Sequence, residues 1–418
     1  MAIKYTRKRV LLSCFACSPI WGSEPGVGWR WLIELAKRHD VELVTHAYFR
    51  EHLEPALSKN PIFGLVKVHY IAPTAFGAHP HKQLNSRLYY IWWQWHVGVY
   101  VKKLLRTHSF DLFHHLTWCT FRFPTFLGRK GVPLVMGPLG GGEVAPLRFY
   151  EDLPLLAQAK ELLRYFSLHF AKYDPLAMWG PKASVLVFCV TEDTLNVFPK
   201  VLKSRTVIAP VIGSPLVDLT SNQNKLELSS PFRLLFAGTL TGVKGIVLVL
   251  EAVHLLNKTG YKVTLDIAGK GDLRQHILRE VARLGLSEQV NLLGMIPREE
   301  LMELYGKSDL FVFPSLHDSS GMVVLESLSR GLPVICLDLG GPKYYVTPQC
   351  GIVVSTQNKS RAQVEQAMAD EIAALINEPE RLRSMSKEAI RQANIQTWES
   401  RVNNVYDQIE QKLNWYST

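Results

Sequence analysis

What most constrains this chain is an alternation. Apolar runs of four to seven residues, bounded by turn-forming residues, take turns with longer helix-like stretches from one end to the other. Strands joined through helices can pair in parallel, so the pattern predicts parallel α/β sheets. Strands are expected at Val10–Cys14, Val41–Thr45, Val66–Ile71, Leu112–His115, Pro133–Gly137 and Ser184–Val190. A second set is expected at Phe232–Ala237, Lys262–Ala268, Val290–Leu293, Leu310–Phe313, Pro333–Leu337 and Gly351–Val354. Between the sets, Ala209–Pro231 mixes Pro, Gly, Ser, Asn and charge without a period, as a linker does.

Two Rossmann-like domains follow, and 418 residues suit two cores better than one. The expected division is 1–210, 211–395 and a last helix, 396–418, that returns to the first domain. Trp398 and Tyr406, at i and i+8, would share a face of that helix. Sheets of this kind leave a crevice at the carboxyl ends of their strands, so the loops that follow strands are where chemistry is expected.

Charge divides unevenly. Residues 1–210 hold 26 Lys and Arg against 14 Asp and Glu, and residues 211–418 hold 21 against 23, which is +12 against −2. A basic first half suits an anionic partner: a phosphate-bearing substrate, an anionic membrane surface or nucleic acid. The basic residues form no recognisable nucleic-acid motif, which ranks that partner last. The six cysteines lie mostly within apolar runs and form no framework. Cys14 and Cys17 make a C-x-x-C without a second pair, and read as reduced packing residues. Neither a signal peptide nor a membrane-spanning run is expected.

After the first strand comes GSEPGVGW, whose Gly26 and Gly28 precede an amphipathic helix. The loop reads either as an anion contact at a helix start or as a tight turn. It is not G-x-G-x-x-G and no acid closes the next strand, which argues against a nicotinamide cofactor. MGPLGGGE places Gly140, Gly141, Gly142 and Glu143 in a loop that reads as a place of close approach. His114 and His115 end the strand DLFHHL, where either can face a ligand or be structural. In LLFAGTLTGVKG, Gly238 ends a strand and Lys244 precedes a helix. A lysine there opposes the helix dipole unless both bind an anion. Farther on, LHDSSGMVVLESLSR carries Asp318 in a loop and Glu326 about a turn and a half into the next helix.

Gly238–Gly245, AGKGD, VNLLG, VFPSLHDSSGMVVLESLSRGLPVI and LGGP resemble the C-terminal domain of the retaining glycosyltransferases of family four. The resemblance runs through most of residues 232–355, and its most specific part is the acid-x7-acid pair. It implies the GT-B fold, with two Rossmann-like domains facing a central cleft, and a nucleotide-sugar donor. It places Asp318 by the transferred sugar, Glu326 on the ribose and Lys244 on the departing diphosphate. Gly26, Gly28, Gly238, Thr239, Gly269, Ser319, Ser320, Gly321, Met322 and Val323 would complete the donor site, and the Gly140–Glu143 loop would meet the acceptor. The histidine that the family uses after the strand near residue 115 is displaced here, and His114 and His115 are the two candidates for its role. Asp318 stands where Glu is usual, and Thr239 where Arg is common, so one diphosphate charge is missing.

Residues 88–106, LYYIWWQWHVGVYVKKLLR, set tryptophans and tyrosines beside Lys102, Lys103 and Arg106, which suits either a helix core or the interface of an anionic membrane. The expected protein is therefore a retaining, metal-independent glycosyltransferase with no cofactor. Its acceptor would be a glycan, a lipid-linked sugar or a small molecule. It is expected in the cytoplasm, at the inner face of the membrane if 88–106 touches lipid. The alternatives are a nucleotide-sugar epimerase or hydrolase, and a weakly catalytic sugar-nucleotide-binding protein.

Overall fold

The computed structural model describes residues 7–60, 64, 66–73, 84, 86–151, 153–217 and 229–415. Part of the expected linker, residues 218–228, lies outside them. The described residues form two units. One gathers Met1–Gly142, Ser167–Ile212 and Trp398–Thr418, and the other Glu143–Phe166 and Gly213–Thr397.

The first unit holds a parallel sheet in the order β3-β2-β1-β4-β5-β6-β7, with β1 Arg9–Cys14, β2 Asp40–His46, β3 Val66–Ile71, β4 Leu112–Thr117, β5 Leu134–Leu139, β6 Leu186–Cys189 and β7 Thr206–Ile208. The central strands read as unbroken apolar runs because both of their faces are covered, as in β1, where Val10, Leu11 and Leu12 are fully buried. The edge strand β7 has three half-buried residues and no such run, so no sequence pattern announces it.

The helix Ser23–Arg38 covers one face of this sheet with Trp31, Leu32 and Leu35, at the i, i+1, i+4 spacing of a buried stripe. Its free carbonyls are met by Arg7, whose guanidinium donates to Ala36 O at 2.9 Å. Against it packs the last helix, Trp398–Leu413, which buries Trp398 and Tyr406 together.

The second unit holds a parallel sheet in the order β10-β9-β8-β11-β12-β13, with β8 Phe232–Ala237, β9 Val263–Ala268, β10 Val290–Gly294, β11 Leu310–Phe313, β12 Val334–Leu337 and β13 Gly351–Val354. Strand order reverses between β8 and β11, and between β1 and β4 in the first unit. At such points adjacent strands send their helices to opposite sides and open a crevice beyond their carboxyl ends.

Candidate functional site

In the second unit, the loops after β8 and β11 meet at that reversal. Lys244 ends a short 3₁₀ turn, Gly242–Lys244, and its ammonium donates to Asp318 Oδ2. The other oxygen, Oδ1, accepts from the backbone N–H groups of Ser320 at 3.0 Å and Gly321 at 2.8 Å. Gly321 stands at φ +64° and opens the helix Met322–Ser329, so Asp318 closes the turn that starts this helix. Burial raises the Asp318 carboxyl pKa. The charge of Lys244 and the hydrogen bonds from Lys244, Gly321 and Ser320 outweigh it and hold the group below its ordinary range.

Glu326 sits differently. On its helix Val324, Leu325 and Leu328 face the core, whereas Met322, Val323 and Glu326 lie on the half-open side. Its carboxylate accepts from Arg298 at 2.7 Å, and Arg298 is itself mostly exposed. Burial raises the pKa of Glu326, and Arg298 offsets only part of that.

Glu143 belongs to this second unit by its contacts. It is buried and accepts from Ser319 Oγ at 2.6 Å, one residue from Asp318. Glu161 accepts from His317 at 3.0 Å. The 143–166 segment therefore clasps the loop that carries Asp318. Gly269 explains the tightness here: a Cβ on it would fall 1.8 Å from Gly238 O, so the β8 and β9 loops touch backbone to backbone. Thr239, on the same loop as Gly238, is exposed.

In the first unit, Gly26 and Gly28 lie in the opening turns of the helix Ser23–Arg38. A Cβ on Gly28 would fall 2.4 Å from Ala16 O, so the glycine lets the helix rest on the loop after β1. Gly140 pairs with Thr120 beside the end of β5, and Gly142 N–H donates to Thr194 Oγ at 3.1 Å. The histidines are placed otherwise than a strand end suggests. Thr117 pairs with Cys14, so β4 continues past them, and both imidazoles are buried within it. One His114 nitrogen contacts Tyr406 OH at 2.8 Å and the other Gly137 O at 2.7 Å. His115 Nε2 lies 3.2 Å from Tyr90 OH. Burial drives their pKa values down to about 4 and about 3, so both rings are neutral at pH 7.

Two side chains escaped sequence reasoning. Arg298 comes to Glu326 from the helix Arg298–Lys307, far along the chain, and nothing local marks it. Glu24 stands inside GSEPGVGW, where the glycines drew attention first. It accepts from Cys119 N–H at 2.8 Å, and burial pushes its carboxyl up to about 7.

Comparison with known proteins places this geometry. Residues 219–392 match the sequence profile described as glycosyl transferases group 1. This part of the chain is similar to glycosyl transferases group 1. It contains Lys244, Asp318 and Glu326. A D-inositol 3-phosphate glycosyltransferase of Segniliparus rotundus is 30% identical over 170 residues, which is 40% of this chain and 36% of the relative. The chain spans about a quarter to two thirds of the length of the curated relatives it matches. Among solved structures, sucrose-phosphate synthase from Thermosynechococcus elongatus aligns with a TM-score of 0.61 and 16% identity, over 97% of this chain and 99% of that one. The Anabaena protein HepE, determined with UDP and glucose, aligns with 0.59 and 16%, over 98% and 100%. The likeness is one of fold: two Rossmann-like units, the second of which holds the matched stretch, as in the GT-B fold.

Proposed function

We propose that the protein moves a glycosyl group from a nucleoside diphosphate sugar to an acceptor hydroxyl with retained anomeric configuration. The observation that carries this reading is Lys244 held against Asp318 beside the N–H groups that open the helix Met322–Ser329, at the strand-order reversal of a stretch similar to glycosyl transferases group 1. An ammonium and a helix start aimed at one place suit a diphosphate as negative charge develops on it. Glu326, a turn further on, suits the two hydroxyls of a ribose. Asp318 then has two tasks, to keep Lys244 in place and to accept from a sugar hydroxyl. The acceptor would be a glycan, a lipid-linked sugar or a small molecule, and the Gly140–Glu143 loop is the candidate to meet it. Departing charge is assigned to Lys244 and the backbone N–H groups of Met322 and Val323, since those of Ser320 and Gly321 donate to Asp318, and no metal or cofactor is assigned a part.

Because a structural neighbour carries UDP, the test starts with uridine nucleotides. Calorimetry with UDP and other nucleoside diphosphates should reveal one that binds, and the matching sugar donors should be consumed when a panel of sugar and lipid-linked acceptors is supplied. Lys244→Ala should lower turnover about 10²–10³-fold, the usual worth of one electrostatic donor. Donor consumption that does not depend on any acceptor would favour a hydrolase, and unchanged turnover in the variant would remove Lys244 from the chemistry.

A further inference from the structure

The helix Leu155–Ala171 has its stripe on the wrong side for a globular core. Counting 100° per residue, Leu155, Leu162 and Phe166 fall on one line along its axis, with Leu163 and Phe170 beside them. They are 83%, 42%, 53%, 72% and 66% exposed, in that order. Single exposed leucines are ordinary, but an apolar stripe over about four turns marks a surface that something covers.

The charges around the stripe decide what. Lys160 is exposed on one flank of it, and Lys172 is exposed in the turn just past the end of the helix. The one acid of the helix, Glu161, turns from it to accept from His317 at 3.0 Å. The same helix of a second copy would offer these lysines no carboxylate, because its one acid is engaged by His317. A layer of anionic headgroups over acyl chains meets both the stripe and its flanks. The helix Arg87–Leu104 repeats the chemistry on its own outer face. There Leu88, Trp95 and Val99 are 78%, 47% and 39% exposed, Lys102 and Lys103 follow on the same side, and the segment to Arg106 contains no acid. Among the described residues no helix is long and apolar enough to cross a membrane, so contact of this kind is interfacial.

We propose that the helix Leu155–Ala171 lies in the interface of an anionic membrane, with its leucines and phenylalanines among the acyl chains and Lys160 and Lys172 at the headgroups. The full chain should sediment with vesicles of phosphatidylcholine and phosphatidylglycerol, less with phosphatidylcholine alone, and less again as salt rises. Leu163→Glu with Phe166→Glu should weaken binding to the mixed vesicles roughly tenfold or more, since two buried apolar side chains are lost. Because both positions are exposed, the variant should melt with the wild type. Lys160→Gln with Lys172→Gln should lower binding to the mixed vesicles toward the level seen with phosphatidylcholine alone. Neither donor nor acceptor is present, so the outcome stands apart from the catalytic reading. The proposal fails if the wild type does not sediment with mixed vesicles at low salt, or if the Glu variant binds as well as wild type. It fails too if sedimentation velocity without lipid shows a dimer that the Glu variant abolishes, because a second copy then covers the stripe.

Discussion

Asp318 and Glu326 belong to one motif but carry opposite strains. The ammonium and N–H groups around Asp318 favour its charge, whereas burial disfavours the charge of Glu326. The folded pKa of Glu326 lies above its ordinary 4.5, so the folded chain holds a proton there that the unfolded chain has lost. Stability from this group is therefore fully present at acid pH and declines as pH rises from 4.5 through the raised value. Glu326→Gln should flatten that decline and melt no lower than wild type at pH 7. If Glu326 grips the ribose, the same change should weaken nucleoside diphosphate binding about tenfold, since a ribose hydroxyl left without its partner costs ~1–3 kcal/mol. Calorimetry and melting on one preparation separate the effects, and a variant that loses stability with unchanged affinity would make the carboxylate structural. The acids were legible because a seven-residue spacing survives in sequence. Arg298 was not, because its meeting with Glu326 is made through space by two helices. His114 and His115 were legible as a strand, but whether that strand stops at them depends on the pairing of Thr117 with Cys14, which no local pattern encodes.

At the scale of elements, strands buried on both faces announce themselves and surfaces do not. The twelve expected strands are all present, with ends that differ by at most two residues, because the central parallel strands are near-continuous apolar runs and the edge strands β3 and β10 still carry apolar residues among polar ones. The Leu155–Ala171 helix has an apolar side, but a period of this kind does not say whether that side faces protein or solvent. Glycine is similar: Gly269 sits in a short AGKGD that means little by itself, and its necessity lies in the carbonyl of Gly238. Gly269→Ala must push the β8 and β9 loops apart and strain a backbone at φ +149°. A loss of about 3 kcal/mol is expected in denaturant unfolding. Nucleotide affinity should fall with it, because Lys244 follows on the displaced β8 loop. Gly260→Ala, on a turn with nothing within 4 Å of the new Cβ, has only its own positive φ to strain and should leave affinity unchanged. Equal behaviour of the two variants would mean that contact between the loops is not what the glycine serves.

At the scale of the molecule, the first unit is assembled from distant parts of the chain, and its closure rests on a buried ion cluster. Arg38 ends the helix Ser23–Arg38 with its side chain 5% exposed, and donates to Glu410 at 2.7 Å and Asp407 at 2.6 Å on the last helix. His39 Nε2 lies 3.2 Å from the same Glu410 carboxylate. Aromatic spacing in the last segment was legible, but this cluster joins residues more than 360 positions apart and left no trace in sequence. Removing one partner of a buried pair strands the other, so Glu410→Ala should destabilise the first unit by about 3 kcal/mol. The pH dependence identifies the cause. Burial raises the pKa of Glu410, but hydrogen bonds from His39 and Arg38 and their charges overcome it and hold the folded value below 4.5. The stability it contributes is thus fully present above pH 4.5 and is lost as pH falls from there through the folded value. Calorimetric melting should show the widest gap between wild type and Glu410→Ala near pH 7, closing as the buffer is taken below pH 4.5. A gap that stays constant down to acid pH would assign the loss to packing of the last helix rather than to the charge. A variant that melts with the wild type at pH 7 would mean that Asp407 alone holds Arg38, and that the helix is fastened by Trp398 and Tyr406.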